Sequence, residues 1–503
     1  MDDVKDAVII GSGFSGLGMA IKLKQSGRNN FVILEKDDDL GGTWRDNTYP
    51  GCACDIPSPL YCFSFAPNPH WSRLFAPQQE IWDYLRRLVD EFDLAPHIRC
   101  GATVTSGRFD ERTGTWEVAV DGGETLRCRV LVTGVGALHV PSVPDLPGLD
   151  TFAGTTFHSA RWRHDHDLTG RRVAVVGTGA SAIQFVPEIQ PVVDKLTLFQ
   201  RTAAWVTPKP DRALSEQEQE LYARHPVALR ALRMFMYWML EGRGAGFALT
   251  PKAMGFLERS ARRHLAKQVR DPGLQATLTP DYQIGCKRVL ISNTFYPALT
   301  QDNVDVVTEK IVQVRPHAVV TADGVEHEAD TLIFATGFEV SGNLLQMRIV
   351  GRDGLELRDV WGSRGIGAHL GMTMAGFPNL FVLLGPNTGL GHSSVVFMIE
   401  SQIRYVVQAI DLLDQRRADY LEVRPDRERG FRRRVQTRLS DTVWESGCRS
   451  WYMDEAGRNF TIWPYFTFQY WLETRRLRPR DFTIVRRRRP FLCKSGARAS
   501  AQV

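Results

Sequence analysis

Ala7-Val-Ile-Ile10-Gly11-Ser-Gly13-Phe14-Ser-Gly16-Leu17 is the stretch on which the fold of this chain turns. Four apolar residues in a row read as a short strand buried on both faces. Glycines follow at once, and Leu17-Gly-Met-Ala-Ile-Lys-Leu-Lys24 reads as a helix. Strand, tight turn and helix N-terminus place backbone N–H groups where they can donate to a pyrophosphate. A second apolar run, Phe31-Val-Ile-Leu34, ends in Glu35. An acidic side chain there accepts hydrogen bonds from an unphosphorylated ribose.

Farther along, the plan repeats. Val173-Ala-Val-Val176 leads into Gly177-Thr178-Gly179-Ala180-Ser181-Ala182, and Lys195-Leu-Thr-Leu-Phe199 leads to Gln200-Arg201-Thr202. The residue 24 positions after the first glycine is Glu35 in the first unit and Arg201 in the second. A carboxylate there repels a 2′-phosphate and a cation attracts one. The first site is therefore expected to hold FAD and the second NADPH. The expected fold class is α/β, with two Rossmann-like dinucleotide-binding domains.

Composition narrows the partners. A chain of 503 residues can bury two or three domain cores. Its 43% hydrophobic and 24% charged residues are globular values, which excludes a disordered chain. A net charge of +5 is small for this length, and no nucleic-acid motif accompanies it, so no nucleic-acid partner is expected. The opening Met-Asp-Asp-Val-Lys-Asp lacks a basic stretch before an apolar run, so no secretory signal is expected. No run of apolar residues is long enough to cross a bilayer, so no integral membrane segment is expected. Cys52, Cys54 and Cys62 lie close together, but no His or further Cys follows at ligand spacing, and no metal is expected. Reduced thiols in a cytoplasmic protein are the simplest reading of all eight cysteines.

Between the two glycine turns stands Phe152-Ala-Gly154-Thr-Thr-Phe-His158-Ser-Ala-Arg-Trp162. It resembles the F-x-G-x-x-x-H-x-x-x-W fingerprint of the flavin-dependent Baeyer–Villiger monooxygenases. Arg163 follows, where that family usually has Pro or Asp. Gly41-Gly42-Thr43-Trp44-Arg-Asp-Asn-Thr-Tyr49-Pro50-Gly51-Cys-Ala-Cys-Asp55 is similar to a second family motif, G-G-x-W-x4-[FY]-P-G-x3-D. Gly285-Cys-Lys287-Arg288 resembles a third, a Lys-Arg pair ahead of Asp302-Asn303-Val304. Thr331-Leu-Ile-Phe-Ala335-Thr336-Gly337-Phe338 and Pro378-Asn-Leu-Phe-Val-Leu-Leu-Gly385-Pro-Asn387 look like the family's Ala-Thr-Gly and late flavin segments.

The resemblance implies an NADPH- and O2-dependent enzyme that inserts one oxygen beside a ketone carbonyl, giving an ester or lactone through a C4a-peroxyflavin. Arg288 and Asp55 are the implied catalytic residues. Arg288 stands over the flavin, where a fixed cation stabilises anionic oxygen species, and Asp55 holds it. Lys287 reaches the 2′-phosphate of NADPH. The fingerprint's His158 and Trp162 fall in a linker that couples domain movement to the coenzyme. The implied cofactor contacts are Gly11, Gly13, Phe14, Gly16, Glu35, Lys36, Thr43, Trp44, Asp55, Ile56, Tyr61, Gly177, Thr178, Gly179, Ala180, Ser181, Arg201, Thr202, Lys287 and Trp444. The alternative chemistry is N- or S-oxygenation by a flavin-containing monooxygenase. A catalytically silent flavin-binding protein is the rival from another class, and the intact glycines, Asp55 and Arg288 speak against it.

The expected organisation is an FAD domain over residues 1–140 and 380–503, ending in a basic tail, and an NADP domain over 150–210 and 285–379. A helical insertion spans 211–284, with a capping box at Ser215-Glu-Gln-Glu218 and an N-cap at Thr250-Pro251. Within it, Met234-Phe-Met-Tyr-Trp-Met-Leu240 reads as a buried helix, the alternative being a wall for an apolar ketone or a face that touches a membrane. Aromatic residues from Trp444 to Trp471 are expected mostly in the core, and eight arginines between Arg475 and Arg489 as a solvated tail.

Overall fold

The computed structural model describes residues 4–248, 254–340 and 344–486. Two parallel-rich sheets organise it. In the first, Lys5–Ile10 lies between Phe31–Leu34 and Thr125–Thr133, parallel to both. Beyond Phe31–Leu34 comes Ile98–Arg99. Beyond Thr125–Thr133 come Thr115–Val120, Val104–Asp110 and Arg348–Val350. Leu380–Val382 also pairs with Thr125–Thr133.

Alternation along the central strand explains why it is apolar throughout. Ala7 and Ile9 face a core shared with Ile33, Val130, Val132 and Phe381. Val8 and Ile10 face another, with Val32, Leu34 and Leu131. Side chains alternate across a strand, so a strand covered on both faces has no place for a polar residue. The helix Phe14–Gln25 covers one face and packs on the helix Val395–Arg416. Arg28 ties their ends together through Asp411 at 2.7 Å and Asp414 at 2.9 Å.

The second sheet is wholly parallel, in the order Val304–Val307, Lys195–Phe199, Arg172–Val176, Thr331–Phe334, Thr155–His158. Its last member differs from the reading as a linker. Half of the fingerprint is an edge strand of the sheet, with His158 paired to Phe334. Short strands with a register set by one neighbour carry no period of their own, so the sequence pattern did not reveal it. Arg163 turns aside and forks onto Asp165 at 2.8 and 2.7 Å, so the departure from the family pattern closes on itself at the surface.

One boundary differs from the expected organisation. The chain returns to the first sheet at Arg348–Val350, ahead of the expected change at residue 380. The return strand is only three residues long, too short to signal itself. The insertion is helical, with Glu216–Arg224, Pro226–Ala248, Met254–Gln268 and Pro272–Thr277. Both bonds of the capping box form, Ser215 accepting from the Glu218 N–H and Glu218 accepting from the Ser215 N–H. The N-cap expected at Thr250-Pro251 lies outside the described residues, as does the end of the arginine run.

The apolar segment 234–240 is not a buried helix. Met236 and Leu240 are buried against Leu60, but Phe235 is 68% and Trp238 54% exposed. An all-apolar stretch gives no contrast from which to tell which face turns inward. Trp444, Tyr452, Phe460, Trp463 and Tyr470 are in the core, whereas Trp451 is exposed. The thiol reading also fails at one pair, because Cys286 is bonded to Cys448 across 162 residues of sequence. Nothing in the spacing marks such a pair. Among the described residues, no helix is long and apolar enough to cross a membrane.

Candidate active site

A cavity of about 390 Å³ opens at the C-terminal ends of the first sheet's strands, where ligands bind in folds of this type. Gly11, Gly13, Phe14, Glu35, Lys36, Thr43, Trp44 and Tyr61 line it, so eight of the expected contacts come together. Gly16 lies one turn deeper. A Cβ there would sit 1.8 Å from the Gly11 carbonyl oxygen, so the residue lets strand and helix close up beneath the turn. Glu35 is buried and accepts from the Ser12 N–H at 2.9 Å and the Ser12 hydroxyl at 2.6 Å. Arg45 approaches it at 3.8 Å while bonding Asp37 and Asp46. The carboxylate is thus fixed at the strand end with its charge partly balanced.

The motif from Gly41 to Asp55 wraps over this cavity. Trp44 donates its indole N–H to Tyr61 at 3.2 Å, and the two rings meet edge to face. The loop beyond is held by the other domain. Gln184, in the helix that follows Gly177–Ala182, accepts from the Tyr49 hydroxyl at 3.0 Å and donates to the Ala53 carbonyl at 3.0 Å. Gly51 has φ +73°, and a Cβ there would lie 2.7 Å from the Gln184 carbonyl. The glycine is needed because the two domains touch at this point.

Asp55 leaves the loop toward Arg288. One carboxylate oxygen accepts from both the Arg288 Nε at 3.0 Å and an Nη at 2.5 Å. The Asp55 charge raises the affinity of the guanidinium for its proton, against the opposing effect of burial. Arg288 is thus a permanent cation, 30% exposed and fixed by two bonds. Tyr61, which lines the cavity, feels the charges of both Asp55 and Arg288, so the pair stands near this one wall residue. Leu290–Ile291 pairs with Val206–Thr207, pinning the two ends of the insertion together just after Arg288.

The neighbouring Lys287 lies near Arg201, at the strand end of the second glycine-turn unit. Burial, and then the charge of Arg201, depress its affinity for a proton. Its ammonium lies 4.6 Å from the centre of the Tyr282 ring. Two cations close enough to repel, neither in an ion pair among the described residues, suit a phosphate. The turn Gly177–Ser181 is open, with Gly179 and Ala180 exposed. Thr178 donates to the Thr202 carbonyl at 3.1 Å, joining the turn to the strand end that carries Arg201. The residues present therefore fit a dinucleotide with a 2′-phosphate here, and one without it in the first crevice.

Relatives share this arrangement through most of the chain. A family model described as flavin-binding monooxygenase-like matches residues 4–237. A Baeyer–Villiger monooxygenase of Streptomyces coelicolor is 48% identical over 496 residues, covering 98% of this chain and 94% of its own. The chain belongs to the Baeyer–Villiger monooxygenases. Cyclohexanone monooxygenase from Rhodococcus sp. Phi1 bound to NADP+ superposes with a TM-score of 0.87 at 30% identity, covering 96% of this chain and 100% of that one. OTEMO in complex with FAD and NADP superposes with a TM-score of 0.86 at 28% identity, covering 96% and 99%. As a Baeyer–Villiger monooxygenase, this protein is an FAD-dependent enzyme that consumes NADPH.

Not every expected contact joins the two crevices. Ile56 packs beneath the insertion with Leu60 and Met236. Trp444 is fully buried and stacks on Phe247 at 5.7 Å, with no hydrogen-bond partner for its indole N–H among the described residues. His158 is buried, accepts from the Ala160 N–H at 3.1 Å and faces the Phe338 ring. Three residues of this monooxygenase were missed by sequence reasoning. Arg45 stands at an unspecified position of its motif, and Gln184 has no motif at all. Tyr452 is a buried phenol near Arg288 and Asp55, hidden in a segment where every second residue is aromatic or polar.

Proposed function

We propose that this Baeyer–Villiger monooxygenase oxidises an apolar ketone to an ester or lactone with NADPH and O2, Arg288 and Asp55 forming its catalytic pair. The observation that carries the reading is the doubly bonded Arg288–Asp55 contact beside the first crevice. FAD bound in that crevice and reduced by NADPH supplies the electrons that activate O2. Arg201 and Lys287 hold the NADPH phosphate, and Glu35 receives the FAD ribose. Arg288 presents a guanidinium that keeps its proton at any working pH. Such a cation stabilises the negative charge that develops on the ketone oxygen when the carbonyl carbon is attacked. It needs no reorganisation, because Asp55 already holds it in place. Tyr61 and Tyr452, whose phenols burial holds protonated, lie near the pair, and uncharged neighbours suit a ketone better than a charged amine.

The test is Arg288→Ala, offered a ketone and a thioether together. Ester formation should fall by about 100- to 1000-fold, the range for removing one preorganised charge stabiliser. Flavin absorbance and NADPH affinity should persist. An unchanged ester yield, or a sulfoxide as the main product of the native enzyme, would overturn the reading.

A further inference from the structure

The helix Pro226–Ala248 has two unlike faces. Its inner face carries Leu229, Met236 and Leu240, and Arg233 reaches in to donate to the Cys62 carbonyl at 3.3 Å. That face rests on the segment running from Asp55 to Cys62. The helix's single carboxylate, Glu241, also turns inward, where Thr467 and His392 bond it. The outer face shows Val227, Met234, Phe235, Trp238 and Met239 to solvent. The last four recur at three- and four-residue steps, with Val227 two turns earlier on the same side, so they form one stripe. Trp238 extends it by meeting Phe468 on the helix Thr467–Thr474, where Leu472 is exposed one turn further on.

The exposed charges of this helix are of one sign. Arg230 and Arg243 lie on the outer face, and neither has a carboxylate partner among the described residues. Arg475 and Arg476 follow the end of the helix Thr467–Thr474 and are exposed. A helix with aromatic residues outward and arginines at its margins is the pattern of an interfacial anchor. A second copy of the chain suits the stripe less well. A twofold contact sets the same patch against itself, which would bring arginine against arginine with no carboxylate of this helix to intervene.

We propose that the outer face of Pro226–Ala248 docks the enzyme on an anionic lipid surface. The phenylalanine and tryptophan enter the headgroup boundary and the arginines meet lipid phosphates. Because the same helix rests on the Asp55–Cys62 segment, docking also brings the site close to apolar molecules dissolved in the bilayer. That consequence rests on the ketone reading, whereas docking itself does not.

Cosedimentation of the FAD-loaded enzyme with vesicles tests docking without using turnover. Vesicles of equal parts phosphatidylcholine and phosphatidylglycerol should pellet the protein, less so as salt rises, and vesicles of phosphatidylcholine alone should pellet little. Replacing Arg230 and Arg243 together by Gln should weaken partition about thirtyfold. Phe235→Ser with Trp238→Ser should weaken it at least as much, with flavin absorbance and turnover of a water-soluble ketone unchanged. The exposed arginine pair keeps the test decisive should the aromatic variant lose FAD. No pelleting on the anionic vesicles, equal pelleting on both kinds, or a dimer that the aromatic variant dissolves would each overturn the proposal.

Discussion

The two nucleotide crevices are built on one plan and finished differently. Both have an apolar strand, a glycine turn, a helix, and a second strand whose end carries the deciding charge. In the first, Glu35 is buried, doubly bonded by Ser12 and backed by Arg45. In the second, Arg201 is exposed and its counterpart Lys287 comes from a segment distant in sequence. A carboxylate locked into a lined cavity suits a cofactor that stays. A pair of cations at an open turn suits one that arrives and leaves. Topology chooses the ligand class, and the side chain at one strand end, with the company it keeps, chooses the phosphate pattern.

The largest effect should come from adding one methyl group to each turn. Gly16→Ala places a carbon 1.8 Å from a backbone oxygen that cannot yield, so the first sheet and its helix must part. The purified variant should be colourless, or too unstable to isolate. Gly179→Ala meets nothing nearer than 4.0 Å in the protein, so melting temperature and flavin content should hold while NADPH affinity falls. Equal damage from both, read by flavin absorbance and thermal denaturation, would break the distinction between a packed and an open turn.

A smaller effect should separate the two charges. Arg201→Ala removes a charge-assisted phosphate contact of roughly 1.5–3 kcal/mol. NADPH affinity should drop about ten- to a hundredfold, with NADH affinity little changed. Lys287→Ala should act in the same direction, and the double variant should show less than the sum, since both cations serve one phosphate. Titration with each coenzyme measures this. A matching loss for NADH would mean that these residues shape the crevice rather than read the phosphate.

The smallest effect concerns pH. Burial holds the His158 imidazole, in the second sheet, at a pKa of about 4, and His369, packed beside the first sheet, at about 4 as well. In the unfolded chain each titrates near 6.5. Between those values the unfolded state binds more protons, so stability falls as pH drops from 6.5 towards 4. His158→Gln and His369→Gln should each flatten that decline in melting temperature. The variant that flattens it more identifies the sheet whose histidine governs acid lability, and no flattening in either would remove both histidines from the account.

Local chemistry made much of this legible. Glycines, apolar runs and the offset of Glu35 and Arg201 are readable because one turn supplies everything that the phosphate needs. Asp55 and Arg288 could be paired only through resemblance, since their contact spans 233 residues and a bare Lys-Arg dipeptide is silent. The outward face of Phe235 and Trp238 was not legible, because a segment that is apolar at every position hides which side is covered. The grip of Gln184 on the Tyr49–Ala53 loop was not legible either. It depends on how two domains sit together, and no local pattern encodes that.

The bond between Cys286 and Cys448 has a mechanical consequence. Cys286 immediately precedes Lys287 and Arg288, and Cys448 follows Trp444 by four residues. Lys287, Arg288 and the C-terminal aromatic loop therefore hang from one covalent yoke. A displacement of the loop is passed to both cations without the slack of a hydrogen bond. Reduction uncouples the yoke into two independently moving segments. The same polypeptide can thus exist as two mechanically different machines, and the thiol history of a preparation decides which of them is on the bench.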